Sequence, residues 1–261
     1  MTNRDGKIIA IALRKGGVGK TTTANEIAFN LGERKCRVLK VDLDPSSNLS
    51  RISNAALAGV FSIYDILKAN CSIEEAIQSI NEYCDIIVAH DKLTSAEKEF
   101  NSYEDIYILL DQLSKIRSSY DFIIIDTPPN LGVLTSMALT AADFVLIPTE
   151  ATSSGVQGLS QLLDKIQRVQ DPRRGTNVNL KIAGILITRL RTNTNFEDAM
   201  KSQITKKYLD KGIHVFDTSI SNSVVVEESQ LYKKSIYEYA PKSKPALDYK
   251  NATEELLDII I

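Results

Sequence analysis

KIIAIALRKGGVGKTT, residues 7–22, decides the fold. Its first seven residues form a short apolar run closed by glycines, which reads as a buried strand. Glycines at 16, 17 and 19 then precede Lys20-Thr21-Thr22, and residues 24–31 have helical spacing. A glycine-rich loop between a strand and a helix lets backbone N–H groups curl round phosphates, and the helix N-terminus adds positive potential at the same spot. In that frame Lys20 reaches the β- and γ-phosphates and the Thr21 hydroxyl ligates Mg²⁺. The loop departs from the general G-x-x-x-x-G-K-[ST] pattern, because Arg14 stands where the first glycine falls and Lys15 precedes the glycine pair. With Lys20 serving the bound nucleotide, Lys15 is available elsewhere, for instance across a dimer interface.

Outward from this loop, apolar runs recur at 38–41, 86–89, 122–125, 144–147 and 182–187. They are rich in Ile and Val and continuous rather than alternating, as strands buried on both faces are. Helix-length segments lie between and after them at 103–116, 158–169, 195–209 and 245–260. Such alternation predicts an α/β fold, a mostly parallel twisted sheet flanked by helices on both faces and joined by right-handed crossovers. No internal repeat or low-complexity linker appears, so a single domain over 1–261 is expected.

Two strands end in carboxylates. RVLKVDL, residues 37–43, leads to Asp42-Leu43-Asp44-Pro45. Two Asp residues at i, i+2 reach the rim where phosphates sit, one holding Mg²⁺ through water and the other orienting the attacking water. An ordinary strand-ending turn with Asx hydrogen bonds gives the same pattern. FIIIDTPP, residues 122–129, ends its strand in Asp126, the form of a Walker B carboxylate on Mg²⁺.

Residues 15–22 (KGGVGKTT), 41–45 (VDLDP), 125–132 (IDTPPNLG), 147–163 (IPTEATSSGVQGLSQLL) and 239–249 (YAPKSKPALDY) together resemble the ParA/Soj partition ATPases. These belong to the deviant Walker A P-loop superfamily that also contains MinD. The matches run in family order from residue 7 to about residue 257. The resemblance implies an ATPase that takes ATP and Mg²⁺ and forms a nucleotide-sandwich homodimer. It implies binding to non-specific DNA in the ATP state and slow hydrolysis stimulated by a ParB-like centromere-binding protein. The cycle segregates plasmid or chromosomal DNA in the cytoplasm.

Carried over residue by residue, the nucleotide contacts are Lys15, Gly16, Gly17, Val18, Gly19, Lys20, Thr21 and Thr22, with Arg189, Ile220 and Ser221 near the base. Lys15 reaches the partner's nucleotide, and Lys20 and Asp44 serve catalysis, Asp44 by positioning the water. Asp42 joins the catalytic and metal network, with Thr21 and Asp126 on the metal. The chain departs from the family at three places. Arg14 replaces the Gln or Asn before the signature lysine, Pro45-Ser46-Ser47-Asn48 replaces Pro-Gln-Gly-Asn, and Ile220-Ser221-Asn222-Ser223 replaces Ile-Pro-Arg-Asn. The last change removes a basic residue that helps frame the base and meet DNA. The chain also starts at its first strand, without the helix-turn-helix extension of larger plasmid members, so operator-specific binding is not expected.

Lys and Arg total 31 against 33 for Asp and Glu, a net charge of −2, so bulk charge leaves no nucleic-acid footprint. DNA contacts must come from local patches, and Arg189, Arg191, Lys233, Lys234, Lys242 and Lys244 are the candidates. Lysines neutralise phosphates without reading bases. Cys36, Cys71 and Cys84 are odd in number and contain no C-x-x-C, unlike a disulfide framework, zinc site or iron–sulfur carrier. No stretch of 18 apolar residues exists to span a membrane, and the end, EELLDIII at 254–261, is acidic where a MinD-like membrane helix is basic. The clustered tyrosines 232, 237, 239 and 249 suggest a bacterial tyrosine kinase, but that family lacks the signature lysine. A positioning ATPase for a non-DNA cargo shares all of the chemistry and differs only in its partner.

Overall fold

The computed structural model describes residues 5–191 and 195–261. Eight strands form one sheet: β1 (Lys7–Ile11), β2 (Val38–Asp42), β3 (Ile77–Asn81), β4 (Cys84–Ile87), β5 (Phe122–Asp126), β6 (Phe144–Glu150), β7 (Lys181–Leu190) and β8 (Val215–Ser221). Their spatial order is β3-β4-β2-β5-β1-β6-β7-β8. Every neighbouring pair is parallel except β3 with β4, which forms an antiparallel edge.

The longer helices are α1 (Lys20–Glu33), α2 (Ile108–Ile116), α3 (Val133–Ala141), α4 (Ser153–Val169), α5 (Asn195–Leu209), α6 (Val224–Leu231) and α7 (Lys244–Ile260). The strand runs are continuous because alternate side chains enter different cores. Ile8, Ala10, Leu39, Val41, Ile123 and Ile125 pack with Leu109 and Leu113 of α2 and Leu159 and Leu162 of α4. Ile9, Ile11, Val38 and Ile124 pack with Ala24, Ile27 and Leu31 of α1 and Ala252 and Leu256 of α7. Burial on both sides removes the polar alternation that a one-sided sheet shows.

The strands predicted from sequence and the helix over 195–209 fall in place. The predicted helix over 103–116 is divided, a 3-10 turn over Glu104–Tyr107 leading into α2. Sequence patterning gave no sign of α3, whose residues from Leu134 to Ala141 are all buried. A helix covered all round has no amphipathic stripe to find. Residues 1–4, which the sequence reading ran straight into β1, lie outside the described residues.

Candidate functional site

The carboxyl ends of β1, β5 and β2 lie side by side, with Ile11 opposite Asp126 and Asp126 opposite Asp42. Open parallel sheets bind ligands at this edge. From β1 the chain turns through the glycine loop into α1. Gly17 and Gly19 have φ of +76° and +83°, left-handed backbone that glycine adopts without a Cβ clash, and Gly19 caps α1. Val18 turns inward and is fully buried. Its carbonyl accepts a 2.8 Å hydrogen bond from Thr188 Oγ1 at the end of β7. The loop opens on a cleft of about 510 Å³. Gly16, Lys20, Thr21, Thr22, Asp44, Arg189, Ile220, Ser221, Gln230 and Tyr249 are among its walls.

Lys20 is 6% exposed and its Nζ donates to the Lys15 carbonyl at 2.9 Å. Burial pushes the Lys20 ammonium pKa down, against the opposing pull of Asp126 and Asp44. Thr21 Oγ1 donates to Asp126 Oδ2 at 2.7 Å, while the buried Asp126 Oδ1 has no partner among the described residues. Burial, with Asp42 beside it, raises the Asp126 pKa well above the usual carboxylate range; Thr21 and Lys20 act against this. An orphaned buried carboxylate oxygen calls for an explanation. A hydrated divalent cation beside Thr21 supplies both positive charge and donors, so these residues fit Mg²⁺.

Asp42 and Asp44 part company. Asp44 lines the cleft, and its Oδ1 accepts from Ser46 N at 2.9 Å. Asp42 is fully buried and is not on the cleft wall. Its Oδ1 accepts from Asp44 N at 3.1 Å, and its Oδ2 from Ser50 N and Ser50 Oγ at 2.9 and 2.7 Å. Burial still lifts its pKa to about 6. Asp42, expected in the catalytic and metal network, thus stands behind the cleft wall in this structure. The Asx-turn alternative describes its geometry, with both oxygens spent on the loop that carries Asp44.

Lys15 does not project freely. Its ammonium pairs with Glu150 at the end of β6, with Thr152 Oγ1 at 3.4 Å. Arg189 shares Glu150 at 3.8 Å, donates to the Gly17 carbonyl at 2.6 Å and reaches Glu227 at 3.7 Å. Of the expected nucleotide residues, Gly16, Gly17, Gly19, Lys20, Thr21, Thr22, Arg189, Ile220 and Ser221 line the cleft, whereas Lys15 and Val18 do not. Sequence reasoning missed the supports behind them. Gln230 Nε2 donates to Thr22 Oγ1 at 2.8 Å, Tyr249 Oη and Thr23 Oγ1 are 3.2 Å apart, and Glu26 Oε2 accepts from Ile236 N at 3.0 Å. Glu150 and Tyr249 lay inside stretches already singled out; Gln230 carried no signal.

The basic candidates scatter. Arg189 bends over the loop, whereas Arg191, Lys233, Lys234, Lys242 and Lys244 are exposed. The last four flank the helical turn Ile236–Tyr239. Among the described residues, no helix is long and apolar enough to cross a membrane.

A family profile described as an AAA domain, AAA_31, matches residues 6–182. The sporulation initiation inhibitor protein Soj of Bacillus subtilis is 37% identical over 254 residues, covering 96% of this chain and 98% of its own. The chromosome-partitioning ATPase Soj of Treponema pallidum is 33% identical over 254 residues, covering 97% of each chain. Among solved structures, cobyrinic acid a,c-diamide synthase of Mycobacterium smegmatis with bound ADP and magnesium superposes with a TM-score of 0.83 at 30% identity. That match covers 97% of this chain and 94% of the synthase. A glycine loop with Lys15 and Lys20, the Thr21–Asp126 pair at its foot and full-length similarity to two Soj proteins lead to one conclusion: the chain belongs to the ParA/Soj family of chromosome-partitioning ATPases.

Proposed function

We propose that the chain is a DNA-segregating ATPase that binds Mg-ATP in this cleft and dimerises over two nucleotides. The ATP dimer binds DNA without sequence preference and hydrolyses ATP slowly until a ParB-like protein accelerates it. The observation that carries the reading is the Asp126 carboxylate, one oxygen on Thr21 and the other unpartnered in burial, at the foot of a left-handed glycine loop.

Thr21 and Asp126 would hold Mg²⁺, which neutralises charge on the transferring phosphoryl group. Lys20 donates to the β- and γ-phosphates once it leaves the Lys15 carbonyl. Asp44, at the cleft wall, orients the water whose oxygen bonds to the γ-phosphorus as the bond to the β–γ bridging oxygen breaks. Asp42 holds the Asp44 loop in place. Lys15 crosses to the partner's nucleotide on leaving Glu150, exchanging a carboxylate for phosphate oxygens. Exposed Lys234, Lys242 and Lys244 supply sequence-independent phosphate contacts, and dimerisation doubles each of them.

The experiment uses Asp44→Ala, expected to trap ATP. Its binding to random-sequence duplex DNA is measured with ATP and with ADP across a salt series. Binding with ATP alone, falling steeply with salt, is the expected result. Intact dimerisation without DNA binding under either nucleotide overturns the DNA assignment and favours a positioning ATPase with another track.

A further inference from the structure

Farther along α1 lies a second cavity, of about 620 Å³, walled by α1, β2, the β3–β4 turn and the segment after α6. Lys40 lies in its wall. On β2, alternation sends Val38 to the α1 face and Leu39 and Val41 to the other core. Lys40 therefore occupies a core position facing α1, and it is 4% exposed. Its Nζ donates to Asn25 Oδ1 at 3.2 Å and Ser53 Oγ at 2.6 Å, both neutral. No carboxylate among the described residues lies within 4 Å of it.

Lysines are almost never fully buried unless paired, because a desolvated ammonium needs a counter-charge. The neighbouring Glu26 feels the Lys40 charge but forms no ion pair with it among the described residues. Its oxygens accept from Asn25 Nδ2 at 3.1 Å and Ile236 N at 3.0 Å, and burial lifts its pKa to about 7. Lys233, on the cavity wall, has a neutral partner, Asn54 Oδ1 at 3.2 Å, and no ion pair among the described residues. Its backbone φ of +52° is a conformation that L side chains seldom adopt. The acids on the rim are occupied or turned outward. Glu82 and Glu33 are exposed, and Glu238 accepts from Ser235 N at 2.9 Å. Phe29 and Tyr237 face one another along the cavity with ring centroids 5.9 Å apart at 36°.

We propose that this cavity binds a small aromatic or otherwise flat organic anion, its carboxylate or phosphate seated on Lys40 and its body against Phe29 and Tyr237. The head group supplies the counter-charge that Lys40 lacks, and Lys233 adds a second positive charge to the site. Aromatic walls with a few converging polar groups are what small-molecule sites commonly present.

The test titrates phenyl phosphate, benzoate and benzyl alcohol separately into the full chain by calorimetry. ADP and Mg²⁺ are kept at saturation so that the phosphate loop is filled. One site per chain is expected for at least one anion and none for the alcohol; the tighter anion identifies the head group. Lys40→Met should weaken anion binding by about tenfold or more, as loss of a charge-assisted contact does. The Lys40 dependence separates this site from the phosphate loop whichever nucleotide state the chain holds. Should Lys40→Met fail to fold, Lys233→Glu provides the same test, weakening both anions and sparing the alcohol. No saturable anion binding, equal binding of the alcohol, or unchanged affinity in the variant that folds overturns the proposal.

Discussion

Lys20, the first residue of α1, and Lys40, whose ammonium bonds Asn25 of the same helix, are exposed to 6% and 4%. Their surroundings treat the charge differently. Lys20 has Asp126 and Asp44 in its field and a backbone carbonyl at hydrogen-bond distance, and it lines the cleft floor where phosphates are expected. Lys40 has an amide oxygen and a hydroxyl, with no carboxylate as counter-ion. Removal of one member of a buried charge network is costly because it strands the rest. The first lysine belongs to such a network within the chain; around the second, Glu26 acts only at longer range and the hydrogen-bond partners are neutral.

The sharpest way to break this contrast is at the first lysine. Lys20→Ala should lower ATP affinity by about 100-fold or more, since several charge-assisted contacts to phosphate disappear. Calorimetry showing micromolar binding in the variant would refute the phosphate-loop assignment.

Glu26 sharpens the contrast from the Lys40 side. Its pKa is about 7 in the folded chain against 4.5 for the free side chain. The native state therefore binds the extra proton between these values, and stability falls as pH rises through that window. The loss from this group is at most about 3 kcal/mol. Asp42, raised from 3.8 to about 6, acts in the same direction at lower pH. Urea unfolding at pH 5 and pH 7.5 should show the wild type weaker at the higher pH. Glu26→Gln should lose a large part of that difference; an unchanged slope would contradict the burial argument.

Smaller effects concern the loop rim. Lys15→Gln should keep ATP binding by the monomer while weakening ATP-dependent dimerisation or stimulated turnover, read by light scattering and phosphate release. Normal values of both would remove Lys15 from any role across the interface. Glu150→Gln frees the same lysine, so it should shift dimerisation the opposite way by roughly threefold, the scale of one partly exposed ion pair. Lys242→Ala and Lys244→Ala should each reduce the salt slope of DNA binding by about 1, with no change in sequence preference.

Much of the site was legible because phosphate chemistry is compressed into adjacent residues. Gly16 to Thr22 carry their own spacing, and Asp126 announces itself at the end of FIIID. What stayed hidden depends on distant partners. Asp42 and Asp44 look equivalent at i, i+2; Ser50, eight residues on, separates them by taking Asp42 Oδ2. The clasp on Lys15 comes from Glu150, 135 positions away. Lys40 lies inside the run at 38–41 that reads as apolar, and only the alternation along β2 reveals it as a core position facing α1. The antiparallel edge strand β3 escaped because IQSIN is half polar and short.

Arg189 carries one further consequence. Its backbone φ is +55°, a left-handed conformation that costs a non-glycine residue about 1 kcal/mol or more. Its guanidinium meets Gly17, Glu150 and Glu227, three elements of the cleft rim, and these contacts offset that cost. Ile220 and Ser221 line the same cleft as this guanidinium. Arg189 thus sets backbone strain at the end of β7 against three side-chain contacts at the phosphate loop. Arg189→Gly relieves the backbone and deletes the side chain, whereas Arg189→Ala deletes the side chain alone. The difference between the two, read by urea unfolding, measures the backbone cost of the left-handed conformation at this position.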